Sequence, residues 1–355
     1  MARKRVVDAK AQKEDATPTA GGRSPLRPVT FGDYIGQRDL IEKLSITLEA
    51  VRQRDEPMEH VLLHGPPGLG KTTLAHVIAE EMGTRLYCTS GPVLTKAGDL
   101  VGMLTKMQAH DVLFIDEIHR LPPAVEEYIY PAMEEFKIDF TLDAGMHAKV
   151  VTYHLKPFTL LGATTRAGLL TGALRSRFGI SHHLGFYDHD DLLEILRRAA
   201  KRLDLTTIST EALAMIAQRS RGTPRVALRL LRRVRDFAQV RAGGQIDRDV
   251  IAEALELEGV DGLGLDELDR TYLRTLWTVY QGGPVGLEAI AASLAEDAGT
   301  LEDVVEPYLL QIGFLARTRQ GRRLTPAAAD HLGLPTGSRA EPAILQRPLF
   351  DLETP

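Results

Sequence analysis

Residues 60–82 read HVLLHGPPGLGKTTLAHVIAEEM. A short apolar run leads into a Gly/Pro-rich loop, and apolar residues at helical spacing follow. Within the stretch, GPPGLGKT (65–72) satisfies G-x-x-x-x-G-K-[ST] in full. Gly65, Gly68 and Gly70 let the loop curl so that backbone N–H groups face phosphate oxygens, and the following helix adds its positive N-terminal end. On this reading Lys71 reaches the β- and γ-phosphates of ATP, and Thr72 holds Mg2+ through its hydroxyl. The match lies between a strand and a helix, as the motif requires.

Outward from the loop, strands and helices alternate. RLYCTS (85–90), DVLFIDE (111–117) and FTLLGA (158–163) are short apolar runs bounded by Gly, Pro or Asp, and a helical pattern covers 38–54. This predicts a parallel sheet covered on both faces. VLFIDE ends in two carboxylates: Asp116 suits the Mg2+ side, and Glu117 can polarise a water for in-line attack on the γ-phosphate. The additional acid favours an ATPase over a GTPase switch. GATTR (162–166) places Thr164 or Thr165 at the carboxyl edge of the sheet, where a hydroxyl can sense the γ-phosphate or simply cap the strand. ALRSRFG (173–179) follows, with Arg175 and Arg177 both able to fork onto an anion.

One segment breaks the rhythm. In KIDFTLDAGMHAKVVTYHL (137–155), Ile138, Phe140 and Leu142 alternate with polar residues, and so do Val151, Tyr153 and Leu155. The period of two predicts a β-hairpin inserted before a core strand.

From Asp188 to about Leu257 the pattern is helical, over 189–203, 209–220, 224–242 and 247–257. GTPR (222–225) opens one of these helices, and Arg225 sits where the helix dipole disfavours a cation. It is either a solvated arginine or one that brings charge to a phosphate. After a glycine-punctuated joint come helices at 266–280, 287–296 and 301–313, then strands FLARTR and RRLT. Helix-turn-helix plus a ribbon is the winged-helix pattern. Glu302, Asp303 and Glu306 on its 301–313 helix would repel phosphate, so base readout there is not expected. Arg317, Arg319, Arg322 and Arg323 lie within seven residues on the ribbon, a wing suited to the DNA backbone without sequence preference. The expected organisation is a disordered tail (1–24), a large domain (25–186) with the hairpin at 137–155, a small all-α domain (187–257), a winged-helix domain (258–334) and a mobile tail (335–355).

The bulk composition agrees with this reading. A chain of 355 residues with 44% hydrophobic and 26% charged residues suits several soluble domains. A net charge of −5 excludes a globally basic nucleic-acid coat. The single cysteine, Cys88, excludes a disulfide framework and a cysteine-based zinc site, and fits a reducing cytoplasm. No apolar run is long enough for a membrane span, and the basic N-terminus has no apolar core of a secretory signal.

Together these pieces resemble the AAA+ ATPases, and among them the RuvB family of Holliday-junction branch-migration motors. The resemblance is carried by RPVTFGDYIGQ (27–37), the loop and helix at 62–83, VLFIDEIHRL (112–121), YPAMEEF (130–136), PFTLLGATTRAGLLTGALRSRFGI (157–180), GTPRVALRLLRRVRDFA (222–238), GGPVGLEAIAASL (282–294) and EPYLLQIGFLARTRQGR (306–322). It runs from about Leu26 to Leu334. It implies an α/β P-loop AAA+ fold with an all-α lid and a C-terminal winged-helix domain, acting in DNA recombination and repair. It also implies that Leu26 and Arg27 lie near the adenine. Gly68, Lys71, Thr72 and Thr73 cradle the phosphates, and Glu134, Glu135, Phe136 and Tyr187 stand near the nucleotide. Thr165 is the first sensor and Arg225 the second. Arg177 matches a finger that acts on the ATP of the next subunit in a homohexameric ring, with Arg175 the alternative. Arg317 and Arg322 match DNA contacts. The hairpin is the expected dock for RuvA, and RuvC joins the resolving complex. The chain departs from the family at the hairpin tip, where DAGMHAKVV (143–151) replaces a Gly-Pro-rich basic and serine-bearing turn. Separately, QRPLF (346–350) in the tail resembles the bacterial sliding-clamp-binding peptide, with Arg347 in place of its usual leucine.

Overall fold

The structure is a computed structural model that describes residues 26–141, 150–205 and 208–335. The N-terminal tail, the hairpin tip and the tail carrying QRPLF lie outside these residues. The chain divides into two compact units between Gly264 and Leu265.

In the first unit the elements run α1 (Arg38–Arg54), β1 (Val61–His64), α2 (Lys71–Met82), β2 (Leu86–Ser90), α3 (Ala97–Leu104), β3 (Val112–Asp116), α4 (Pro123–Glu135), β4 (Lys137–Thr141), β5 (Val150–His154), β6 (Thr159–Thr164), α5 (Gly172–Arg175), β7 (Ile180–His183), α6 (His189–Arg202), α7 (Thr210–Gln218), α8 (Pro224–Arg241) and α9 (Arg248–Leu257). Five strands form a parallel sheet in the order β2-β3-β6-β1-β7. Successive side chains of a strand point to opposite faces. Val61 and Leu63 of β1 therefore join one buried cluster with Leu44 of α1, Leu74 of α2 and Leu192, Leu213 and Leu231 of the helical segment. Leu62 joins the other, with Leu113, Leu160, Leu100 of α3 and Ile129 of α4. Burial of apolar surface on both faces is the main favourable term here.

The order β3-β6-β1 decides function. It brings the carboxyl ends of three strands side by side: Asp116 from β3, Thr164 from β6 and the loop that leaves β1 at His64. The Gly65 N–H closes onto the Thr164 carbonyl at 3.2 Å. Strand β7 is not expected from the sequence. It is an edge strand, ISHH, whose side chains alternate between half-buried and exposed, so it lacks the apolar run that marks the central strands.

The expected hairpin forms as a separate two-stranded sheet, β4 against β5, with Ile138 opposite Tyr153. Among the described side chains, Ile138 and Leu155 at its base are buried, while Val151 and Tyr153 are exposed. The expected alternation is present, but beyond the base its apolar side on β5 faces solvent.

The second unit contains α10 (Glu267–Thr278), α11 (Leu287–Leu294), α12 (Ala298–Thr300), α13 (Glu306–Gln311), β8 (Leu315–Thr318), β9 (Gly321–Leu324) and α14 (Pro326–His331). An Asp266–Asp269 capping box starts α10, each carboxylate accepting the other residue's backbone N–H. The helix expected at 301–313 forms as a continuous helical run to Gln311, but with a π-helical turn at its start. A π-helical turn covers Leu301–Val305, and α13 then begins with Pro307 in its first turn. Proline has no N–H to donate, and its ring crowds the carbonyl four residues back, so the preceding turn widens.

His60, just before β1, is buried. Its Nδ1 accepts from the Leu160 N–H at 2.9 Å, which leaves Nε2–H to donate to the Met133 carbonyl at 3.0 Å. Burial holds its pKa below the ordinary 6.5. Unfolding therefore takes up a proton at acid pH that the folded state refuses. This contribution to stability is complete above 6.5 and declines as the pH falls below it. The urea midpoint of the chain should drop between about pH 7.5 and about pH 5.5, and His60→Gln should show a shallower drop. Parallel slopes for the two proteins would assign the dependence to other groups.

Candidate functional site

The loop after β1 takes the curled form that its sequence predicts. Gly68 has φ +81° and Gly70 φ +98°, both in the left-handed region. A Cβ on Gly68 would stand 2.7 Å from Thr223 Cγ2 and 3.1 Å from Arg225 Cβ. The Arg225 N–H donates to the Gly68 carbonyl at 3.3 Å. The start of α8 thus rests directly on the phosphate loop, and Arg225 is aimed at it. Lys71 is buried, and its Nζ donates to the carbonyls of Gly65 and Pro66 at 2.8 and 2.9 Å. Burial pushes its pKa down to about 8, against the pull of Asp116 and Glu117. A desolvated cation under a curled loop fits a polyphosphate, which would restore the lost charge stabilisation. Thr72 and Thr73 are half-buried in the first turn of α2.

At the carboxyl edge, Asp116 Oδ1 accepts the Glu117 N–H at 3.0 Å. Glu117 itself has φ +49° and opens a short 3-10 turn. Its Oε2 lies 3.5 Å from Nε2 of His119, whose Nδ1 lies 2.8 Å from the Thr164 hydroxyl. Thr164 is fully buried, and Thr165 follows it half-buried.

Tyr187 joins this edge to the helical segment. Its backbone N–H donates to the Gly222 carbonyl at 2.8 Å, and its hydroxyl lies 3.1 Å from the Tyr34 hydroxyl and 3.3 Å from the Leu69 carbonyl. Burial raises both phenols, Tyr34 to about 12, so both stay neutral. Tyr34 is missed by sequence reasoning. Its one signal is its place in FGDYIGQ, and its contact with the loop arises only in the fold: a Cβ on Gly70 would meet its hydroxyl at 2.8 Å. Leu26 packs on the same core, and the Arg27 carbonyl accepts from Arg202 of α6 at 3.1 Å.

The remaining residues expected near the nucleotide stand elsewhere. The Met133 carbonyl is bound by His60, so the end of α4 lies at the amino edge of the sheet. Arg177 also lies there, three residues before β7. Its Nη2 pairs with Glu134 at 3.1 Å, and its guanidinium lies 4.3 Å from the centre of the Tyr130 ring. Glu135 pairs with Lys137, and Phe136 packs edge-on against Phe158. β1 alone separates this edge from the loop by four residues, about 13 Å. Within one chain, then, Glu134, Glu135, Phe136 and Arg177 do not join the phosphate loop. Arg175 turns the other way and donates to the Ala167 carbonyl.

In the second unit the wing arginines divide into pairs. Glu306 is fully buried and accepts from the Tyr272 hydroxyl at 2.8 Å, from Arg317 Nε at 2.8 Å and from Arg322 Nε at 3.0 Å. Its carboxylate does not face outward, as its sequence context suggests, but anchors the wing. Glu302 lies 3.9 Å from Arg317 and 3.8 Å from Arg322. Arg319 and Arg323 are exposed.

The contact between loop and lid yields a direct expectation. Gly68→Ala should push α8 off the loop and raise the dissociation constant for a fluorescent ATP analogue at least about tenfold, while the thermal midpoint moves by only a few degrees. Unchanged affinity would mean that the contact is dispensable.

The chain matches three family models: the Holliday junction DNA helicase RuvB P-loop domain over residues 26–184, the RuvB AAA lid domain over 187–261, and the RuvB C-terminal winged helix domain over 262–333. It is 57% identical over 309 residues to the Holliday junction branch migration complex subunit RuvB of Desulfosudis oleivorans, covering 87% of this chain and 90% of that one. The solved RuvB Holliday junction branch migration motor of Thermotoga maritima superposes with a TM-score of 0.81 at 51% identity, covering 88% of this chain and all of that one. A mutant of the same Thermotoga protein gives the same score and identity over 99% of its length. With its phosphate loop, lid and winged helix all matched in order, the chain belongs to the RuvB family of AAA+ ATPases.

Proposed function

We infer that this chain is an ATP-driven, ring-forming motor that moves Holliday junctions during recombination and repair. One observation carries the reading: the phosphate loop, Glu117 and Thr164 lie at one edge of the sheet, and Arg177 at the other. An arginine at the amino edge is of no use to its own nucleotide. It serves the carboxyl edge of the next copy in a head-to-tail arrangement, which closes into a ring.

The roles follow. Lys71 neutralises the β- and γ-phosphates, and the loop N–H groups orient them. Thr72 and Asp116 would hold Mg2+, which supplies charge neutralisation on the phosphates when bound. Glu117 orients and polarises the attacking water. Thr165 reads the γ-phosphate, and Arg225 and Tyr187 tie its presence to the lid. Arg177 completes the site in trans, accompanied by Glu134, Glu135 and Phe136 of its own chain. Its Nε is buried without a hydrogen-bond partner among the described residues, so it has a donor to give when it exchanges Glu134 for a phosphate. Arg175, which donates to the Ala167 carbonyl as Arg177 does to that of Ala173, is the alternative finger.

DNA is contacted by the wing, through Arg317 and Arg322 with Arg319 and Arg323 beside them, and without base readout. The solvent-facing Val151 and Tyr153 of the hairpin form the dock for RuvA, and RuvC belongs to the resolving assembly. The QRPLF tail is a candidate sliding-clamp ligand. No described helix is long and apolar enough to cross a membrane; the proposed place of action is the cytoplasm.

Two measurements test this. ATP turnover should rise when four-way junction DNA and RuvA are added together, more than with linear duplex alone. A rate indifferent to both would sink the motor reading. Arg177→Ala should bind ATP normally but lose hydrolysis by at least about 100-fold. Mixing it with Lys71→Ala chains should restore part of the rate at mixed interfaces. Normal hydrolysis by Arg177→Ala alone would rule out the trans finger.

A further inference from the structure

We propose that His119 is the positioning residue that holds Glu117 for its water, and that it takes its own orientation from Thr164. The observation is a continuous polar chain: Arg166 N–H to Thr164 Oγ1 at 2.9 Å, Thr164 Oγ1 to His119 Nδ1 at 2.8 Å, and His119 Nε2 to Glu117 Oε2 at 3.5 Å. Both intermediate members are enclosed. Thr164 is fully buried and the His119 side chain is 7% exposed, whereas Glu117 is 36% exposed.

For a neutral imidazole, the direction of the chain follows from its carboxylate end. At one end is a backbone N–H, which can only donate. At the other is an ionised carboxylate, which can only accept. Thr164 receives the Arg166 N–H and passes its own hydroxyl proton toward Nδ1. The imidazole then carries its proton on Nε2, pointing at Glu117. One ring nitrogen is set by its partner and the other is thereby made a donor, as in sites where an outer residue fixes a histidine tautomer. The 3.5 Å separation lies in the range that tightens when a site closes on its substrate.

The arrangement answers a need. Glu117 sits at a strand end on a left-handed residue, and its long side chain is partly solvated. A freely rotating carboxylate would orient water poorly, and misplacement by about 1 Å can cost about 100-fold in rate. A donor held from below restricts it without removing its charge. The same Thr164 begins the segment that carries Arg175 and Arg177, so the chain also joins the finger-bearing segment to the acid of its own site.

The inference rests on the reading of Glu117 as the residue that orients the water, and the experiment separates the two. In the full-length chain, His119→Leu should lower kcat at least about tenfold with KM and ATP affinity within about threefold, and with an unchanged thermal midpoint. His119→Gln places an amide N–H near the position of Nε2–H and should recover most of kcat. Thr164→Val should fall between the wild type and His119→Leu. In a Glu117→Gln background, His119→Leu should add no further loss. Wild-type kcat in His119→Leu overturns the proposal. So does equal loss of kcat and ATP affinity with no rescue by Gln, which would make His119 a purely structural side chain. Normal hydrolysis by Glu117→Gln would instead overturn the underlying reading of the acid.

Discussion

The seating of the lid helix α8 on the phosphate loop is the contact from which the rest of the site takes its shape. The Arg225 N–H meets the Gly68 carbonyl, and Thr223 fills the space where a Gly68 side chain would stand. The loop is therefore formed from both sides, by β1 and α2 beneath and by the lid above. In the proposed reading, a nucleotide bound between them would touch two parts of the chain at once. Tyr187 makes the same connection from the sheet side, reaching Gly222 with its backbone and Leu69 with its hydroxyl. Ligand binding can bias a domain arrangement only through such differential contacts.

The sheet itself imposes the second constraint. Parallel strands have a carboxyl edge and an amino edge, and ligands sit outside the carboxyl edge. The phosphate loop, Asp116, Glu117 and Thr164 lie there. The buried His60 ties α4 to the opposite edge, and the Arg177–Glu134 pair stands on that foundation. A single sheet therefore carries the phosphate loop at one edge and Arg177 at the other, which is the polarity that the proposed ring uses.

Much of this is legible in the sequence, for identifiable reasons. α1 and α2 are bounded as expected because their apolar spacing and the flanking glycine or aspartate are local signals. The phosphate loop is legible because Gly65, Gly70, Lys71 and Thr72 rarely fall at these spacings by chance between a strand and a helix. What local patterns do not carry is distance between remote segments. Tyr34 has no motif of its own. Strand β7 lacks an apolar run because it lies at the edge. Glu134 and Phe136 are matched to a nucleotide by resemblance, but only the fold shows at which edge they stand. The helix expected across 301–313 overlooks Pro307, whose missing N–H accompanies a π-helical turn within it.

Glu306 is the clearest case of a residue whose sequence context misleads. As one of three acids on a helix facing a wing it looks like a repulsive surface charge. Buried, it would be costly alone, because desolvating a carboxylate outweighs most single contacts. It is tolerable here because Tyr272, Arg317 and Arg322 all donate to it. The consequence falls on the arginines. Each gives the anchor its Nε and Nη2 and keeps Nη1, so both side chains are held in place before any ligand arrives. Two arginines are thus fixed by a shared buried anion, with Arg319 and Arg323 exposed beside them, and in the proposed reading such a surface meets phosphates at a set spacing rather than base edges. A motor that must advance over any sequence needs that surface more than it needs a reading helix.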